Sequence, residues 1–121
     1  RYSMSYDVEL RDTLRKETLQ TDIPHFMCGG TYAIGGTHEL WLNITFNYGP
    51  LFRKAVPEGI YAIDGMSAVE SIAVLDKMIA VLGDDVDDDY WKPTEGNAKR
   101  ALLQLKAMAQ MRPDGEWKVW A

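Results

Sequence analysis

Apolar and polar residues alternate along two segments in the first half of the chain. Met4–Leu10 places Met, Tyr, Val and Leu at every second position, with Ser, Asp and Glu between them. Leu40–Phe46 repeats the pattern, and Trp41 falls on the face opposite Leu40 and Leu42. A period of two is typical of half-buried strands, so both segments are predicted to be β-strands.

Shorter segments extend this β-rich half. Ile23–Met27 is a second candidate strand, which Pro24 confines to an edge or a strand start. Thr31–Ile34 is a short third candidate, and the polar stretch Arg11–Gln20 is predicted to be a hairpin or a continuing edge strand. The two Gly-Gly-Thr segments, at residues 29–31 and 35–37, are interpreted as tight turns. An anion-binding nest of backbone N–H groups is the alternative.

The second half of the chain has a helical pattern. Pro50–Val56 is predicted to be a short helix, and Tyr61–Asp64 a short connector or strand. Ser67 and Glu70 have the spacing of a capping box, which starts a longer helix that Gly83 ends. Thr94 is the predicted N-cap of a last helix that runs to about Met111. Apolar positions mark the buried faces: Ala68, Ile72, Leu75, Ile79 and Leu82 in the first of these helices, and Ala98, Ala101, Leu102, Leu105, Met108 and Ala109 in the second.

Strands precede helices, which predicts the α+β fold class: an antiparallel β-sheet from the N-terminal half packed against two main C-terminal helices. The Pro113-Asp114-Gly115 turn allows Trp117–Trp120 to return to the sheet as a terminal strand. A length of 121 residues is typical of one domain, so we expect residues 1–121 to form a single α+β domain.

Composition limits the function classes. The formal net charge of -5 disfavours broad nucleic-acid binding and leaves open a basic protein partner, or mimicry of nucleic-acid charge. No apolar run is long enough for a membrane span, and the first ten residues lack the apolar core of a signal peptide. With one cysteine, an intrachain disulfide is impossible. We therefore expect a cytoplasmic protein with no membrane association.

The start of the last helix is the main candidate for ligand binding. Helix N-termini carry free N–H groups and a partial positive charge, which favour anions. Gly96 allows close approach, cations lie nearby, and Trp91 or Tyr90 can stack on a ring. The alternative is an ordinary capped helix with Trp91 in the core and Glu95 repelling anions. The predicted ligand-binding residues are Trp91, Thr94, Gly96, Asn97, Lys99 and Arg100.

Two features of the sequence predict a surface that contacts a protein partner. Trp41 is either covered by another layer or exposed as an anchor at an oligomer or partner interface. The run of aspartates at residues 84–89 is a solvated loop, a hard-cation site or an acidic knob that contacts a basic protein. The predicted partner-contact residues are Trp41, Asp87, Asp88 and Asp89.

Nucleophilic and metal chemistry have weaker candidates. Cys28 has His25 and His38 as nearby bases in sequence, although cysteine is often a small buried hydrophobe. Together with Glu39, these residues supply donors acceptable to zinc, but their spacing matches no recurrent zinc pattern. We therefore expect no catalytic residue, metal ligand or cofactor.

Three segments resemble a group of small proteins encoded by bacteriophages, prophages and other mobile elements and described as hypothetical proteins. They are Asn43–Tyr48, Asp89–Ala98 and Met111–Gly115, and the resemblance covers roughly the last two-thirds of the chain. It carries no catalytic residues with it. What it implies is a phage-borne accessory protein in the cytoplasm of the bacterial host.

The resemblance and the residues together give four function hypotheses. The first is a non-enzymatic binding protein, acting as a counter-defence factor that inhibits a host protein. The second is a sponge that sequesters a phosphorylated nucleotide signal at the helix start, across the interface of a homo-oligomer. The third is an enzyme that uses Cys28, His25 or His38. The fourth is a structural or assembly component of the phage. The inference from a phage origin to a counter-defence or sponge activity rests on analogy.

Overall fold

The computed structural model describes residues 5–25 and 37–121. Within these residues the predicted α+β class is confirmed: an antiparallel sheet, two of whose strands precede the helices and one of which follows them, packs against the helices. Thr31–Ile34 and Cys28 lie outside the described residues. The strands are β1 (Ser5–Arg11), β2 (Gln20–His25), β3 (Thr37–Glu39), β4 (Trp41–Thr45) and β5 (Glu116–Trp120). The α-helices are α1 (Gly49–Ala55), α2 (Ala68–Val81) and α3 (Glu95–Met111).

The main sheet has three strands in the order β4-β1-β5, all antiparallel. Val8 in β1 lies opposite Leu42 on one side and Val119 on the other. The alternation predicted for β1 is confirmed, because Tyr6, Val8 and Leu10 are buried whereas the residues between them are partly exposed. In β4 the alternation ends at Ile44, because Thr45 is buried and Phe46 begins a 3₁₀ helix. Strands β2 and β3 form a separate two-stranded sheet.

The helices begin where the capping residues predict. The Ser67 hydroxyl accepts from the Glu70 N–H at 3.1 Å, and the Glu70 carboxylate accepts from the Ser67 N–H, which completes the capping box before α2. Thr94 caps α3 by accepting from the Asn97 N–H at 3.1 Å. All six apolar residues predicted for the inner face of the last helix are buried.

Several details differ from the sequence prediction, and β2 begins at Gln20 rather than at Ile23. The segment Gly59–Ile63 is a 3₁₀ helix, so Tyr61 is not in a strand. The inner face of α2 also differs. Ser71 and Met78 are buried there together with the predicted Ala68 and Leu75. The predicted Ile72 and Ile79 are only partly buried. The small, hydrogen-bonding Ser71 faces inward because its hydroxyl accepts from Trp117 Nε1 at 2.7 Å and donates to the Ala68 carbonyl. This pair joins α2 to β5.

Candidate functional site

The loop between α2 and α3 folds over the start of α3 and forms what we call the Trp91 corner, residues 84–97. Its framework is a set of side chains that accept hydrogen bonds from backbone N–H groups. Asp85 Oδ1 accepts from the Gly96 N–H at 3.3 Å, and Glu95 Oε1 accepts from the Gly83 N–H at 2.8 Å. Asp85 of the acidic loop thus supplies an acceptor to a donor at the helix N-terminus, and Glu95 at the start of the helix accepts a hydrogen bond from the residue before the loop.

Asn97 is the centre of this framework. It is 1% exposed. Its Oδ1 accepts from the Asp87 N–H at 3.0 Å, and its Nδ2 donates to the carbonyls of Asp89 and Lys92, both at 3.1 Å. A buried amide that satisfies three backbone groups fixes the path of the loop. Among the predicted ligand-binding residues, Asn97 therefore has a role in folding.

Gly96 lies against the backbone of the acidic loop. A Cβ at this position would lie 2.7 Å from the Asp85 carbonyl carbon and 2.7 Å from the Val86 nitrogen. The absence of a side chain allows close approach, as the sequence predicted, but the approaching group is the chain itself. The N–H groups of Gly96 and Asn97 already donate to Asp85 and Thr94.

Trp91 projects from this framework and is 57% exposed. Its N–H donates to Asp89 Oδ1 at 3.0 Å, and its carbonyl accepts from Asn47 Nδ2 at 2.7 Å. The indole contacts the Tyr90 ring edge-to-face, with centroids 5.1 Å apart. An exposed tryptophan is therefore held on a backbone fixed from both sides.

Tyr90 anchors the corner to the sheet. Its hydroxyl accepts from the Thr45 N–H of β4 at 2.7 Å, and its carbonyl accepts from the Tyr48 hydroxyl. Burial raises the pKa of Tyr90 to about 12, while burial and the neighbouring Tyr90 raise the pKa of Tyr48. Both phenols are thus neutral at physiological pH and act as hydrogen-bonding groups. From the sequence, Tyr90 was predicted only as a stacking residue. Its position along the chain does not predict the contact of its hydroxyl with β4.

The charges of the corner are partly neutralised by neighbouring cations. Asp84 lies 2.7 Å from Lys99 Nζ and Asp87 lies 3.3 Å from Lys92 Nζ. A hydrogen bond from the Asp89 N–H, assisted by Lys92, lowers the pKa of Asp87. Asp88 is exposed. The predicted acidic knob therefore consists of carboxylates that organise the loop and carboxylates that face solvent.

The remaining predicted site residues lie in different places. Lys99 contacts the acidic loop through Asp84, and Arg100 is exposed one residue later on α3. Trp41 is half-buried and lies opposite Glu9 at the other end of β4 from Thr45. Four residues of strand span about 13 Å, so Trp41 and the acidic loop do not form one compact patch.

The histidines and acids of the described residues form no metal centre. His38 Nδ1 lies 2.8 Å from the carbonyl of Thr21. Within residues 5–25 and 37–121, no group of three or more His, Cys, Asp or Glu side chains is placed to hold a metal ion. The hypotheses that use Cys28 fall outside the described part of the chain and stay predictions.

Comparison with protein-family models, with curated proteins and with solved structures gives no match for this chain. Among the described residues, no helix is both long and apolar enough to cross a membrane.

Proposed function

We propose that this chain is a non-enzymatic accessory protein of a bacteriophage or related mobile element, and that it acts as a counter-defence factor by binding and inhibiting a host protein. The resemblance of Asn43–Tyr48, Asp89–Ala98 and Met111–Gly115 to small phage-encoded proteins supports this origin. The binding role rests on one observation: Trp91 is 57% exposed on a backbone that is hydrogen-bonded on both sides.

An exposed tryptophan on a rigid support has the properties of an interface anchor. Tryptophan is enriched among the residues that dominate binding energy, because it buries a large area with few rotatable bonds. Since the loop is already ordered by Asn97 and Asp89, a partner does not have to pay for ordering it. The Trp91 corner therefore favours high affinity for a partner even when the contact area is small.

The charge around Trp91 favours a basic partner surface. Asp88 is exposed three residues before it in the chain, the carboxylate of Asp84 is 89% exposed although Lys99 contacts it, and the chain carries a net charge of -5. Complementary charge at the edge of an interface increases the association rate and the specificity more than the affinity. The partner we propose is a host protein with a positively charged groove that accepts one indole ring.

The nucleotide-sponge alternative is less well supported by the contacts at the start of α3. The Gly96 and Asn97 N–H groups donate to Asp85 and Thr94, and Glu95 adds a negative charge there. A nucleotide phosphate would have to displace the acidic loop. A cyclic or ADP-ribose-type nucleotide that raises the melting temperature of the protein would favour the sponge, since a ligand stabilises the state that it binds.

The test is affinity capture from host lysate with the unaltered chain and with Trp91→Ala. A partner captured by the unaltered chain is then purified, and its affinity for both forms is measured by calorimetry. Loss of a central anchor costs about 2 kcal/mol or more, so we expect at least ~30-fold weaker binding by Trp91→Ala.

Trp120→Ala is the matched control. Trp120 is 48% exposed and lies on β5, at the opposite edge of the main sheet from β4. It should leave the affinity unchanged. Equal weakening by both variants, or by neither, would refute binding through the Trp91 corner. Co-purification of the chain with virions would support the structural-component hypothesis instead.

A further inference from the structure

The direction in which the Trp91 side chain leaves the backbone is set by the two peptide planes that flank its Cα. A peptide unit is planar, so φ and ψ of residue 91 are fixed once both planes are held. The first plane carries the Tyr90 carbonyl and the Trp91 N–H, and the second carries the Trp91 carbonyl and the Lys92 N–H. Each of these four groups makes a hydrogen bond.

The first plane is held both from within the loop and from outside it. The Trp91 N–H donates to Asp89 Oδ1 at 3.0 Å, a bond between residues two apart in the same loop. The Tyr90 carbonyl accepts from the hydroxyl of Tyr48, a fully buried residue that precedes α1. The phenol of Tyr48 therefore joins this plane to the core.

The second plane is held in the same way. The Lys92 N–H donates to the Asp89 carbonyl at 3.1 Å, which is again a bond within the loop. The Trp91 carbonyl accepts from Asn47 Nδ2 at 2.7 Å, across 44 positions of the chain. Asn47 and Tyr48 are consecutive residues, so one short segment holds both planes from outside the loop.

Asn47 itself lies on a fixed backbone. Its N–H donates to the Thr45 hydroxyl at 3.2 Å, and Thr45 caps the 3₁₀ helix Phe46–Tyr48. Thr45 is 3% exposed, and its own N–H donates to the Tyr90 hydroxyl at 2.7 Å. The side chain of Asn47 is exposed, yet its amide donates to Trp91. Its removal should therefore change the loop without opening the core.

We infer that Asn47 and Tyr48 are positioning residues for Trp91, each holding one of the two peptide planes that direct its indole. This role rests on the proposed function of Trp91 as the anchor for a host protein. An indole already aimed at its pocket loses less freedom on binding, so the affinity depends on two residues that need not touch the partner. The partner's groove has to match the direction of the ring as well as its size.

Relaxation measurements by NMR on ¹⁵N-labelled protein test the positioning without any partner. Asn47→Ala removes the bond to the second plane, and Asn47→Asp keeps the size of the side chain but loses the donor, since a carboxylate only accepts. We expect the order parameters of the Lys92 amide and the Trp91 indole N–H to fall in both variants, from about 0.85 toward about 0.6. Tyr48→Phe should lower that of the Trp91 amide.

Gln110→Ala is the matched control, because it removes an exposed amide side chain about 20 Å along α3 from Asn97. It should leave every order parameter at the Trp91 corner unchanged. The indole of Trp120, which is 48% exposed, serves as a reference within each sample. Urea unfolding checks that the variants remain folded.

A double-mutant cycle with the purified host protein distinguishes positioning from direct contact. Asn47→Ala should weaken binding about three- to tenfold, the equivalent of one hydrogen bond. In the Trp91→Ala background the same change should have no further effect, because there is no indole left to direct.

Unchanged order parameters in both Asn47 variants, or equal weakening of binding with and without the indole, would overturn the positioning role. The proposed function fails in a different way. If Trp91→Ala bound the host protein as tightly as the unaltered chain, Trp91 would not be the anchor, and the order parameters would still decide whether Asn47 positions it.

Discussion

Gly96 and Asn97 show how residues that suggest a ligand site can serve the chain itself. The sequence marks Gly96 as a place of close backbone approach and Asn97 as a polar group at a helix start. In the structure the approaching group is the backbone of Asp85 and Val86, and the amide of Asn97 holds the loop at three points. Ligand binding by these residues stays a prediction.

Replacing Gly96 with alanine tests this packing. The new methyl group would lie 2.7 Å from two backbone atoms, which cannot rotate away. Overpacking of this kind costs about 1–3 kcal/mol, and the higher helix propensity of alanine offsets at most about 1 kcal/mol of it. We expect Gly96→Ala to lower the free energy of unfolding in urea by about 1–2 kcal/mol.

Gly83→Ala provides the comparison for that measurement, because a Cβ at residue 83 would meet its nearest atom at an ordinary 3.6 Å. It should change stability little. If Gly96→Ala proved as stable as the unaltered protein, the acidic loop would have to be able to move away from α3 at little cost.

At the scale of elements, the capped helices and the alternating strands were predicted well because their signals are local. Ser67 and Thr94 bond within their own first turns, and the alternation in β1 follows from the pleat of any half-buried strand. Tyr61 was harder to predict, since a five-residue 3₁₀ segment has too few residues for a periodic pattern.

The start of α3 is also tied through Glu95 to α1 and to Gly83 beyond the end of α2, and this connection depends on pH. A hydrogen bond from Lys54 of α1 and a second from the Gly83 N–H lower the pKa of Glu95. A carboxylate with a lowered pKa contributes stability that is complete above its ordinary pKa and is lost as pH falls through the lowered one. Acid should therefore loosen the contact of α1 with the Trp91 corner.

Glu95→Gln makes this prediction measurable. We expect the variant to be less stable than the unaltered protein at pH 7, and the difference to shrink as pH falls below about 4.5. Urea unfolding across this range is the measurement, with Glu17→Gln in the exposed turn after β1 as the control. A difference that stayed constant with pH would mean that the ionised form of Glu95 is not what matters.

At the scale of the molecule, charge and anchor are separable contributions to the proposed partner binding. The net charge of -5 acts over a distance and is screened by salt, whereas the indole of Trp91 acts only on contact. Within one protein, the two contributions should therefore affect different rate constants.

Surface plasmon resonance with the captured partner distinguishes them. We expect Asp88→Asn to slow association modestly and to reduce its dependence on ionic strength, with little change in dissociation. Trp91→Ala should mainly speed dissociation. An association rate that did not fall as salt increased would exclude a basic partner surface.

Patterns along the chain were enough to predict the α+β class, both capped helices, the inner face of α3 and the main strands of the sheet. The helix caps and the burial patterns behind these predictions each lie within one segment of the chain. The folding of the whole chain placed β1 between β4 and β5, and brought the Tyr90 hydroxyl to the Thr45 N–H. It also placed the acidic loop against Gly96 and left Trp91 exposed. These contacts join residues distant in sequence, and their geometry depends on how the whole chain packs.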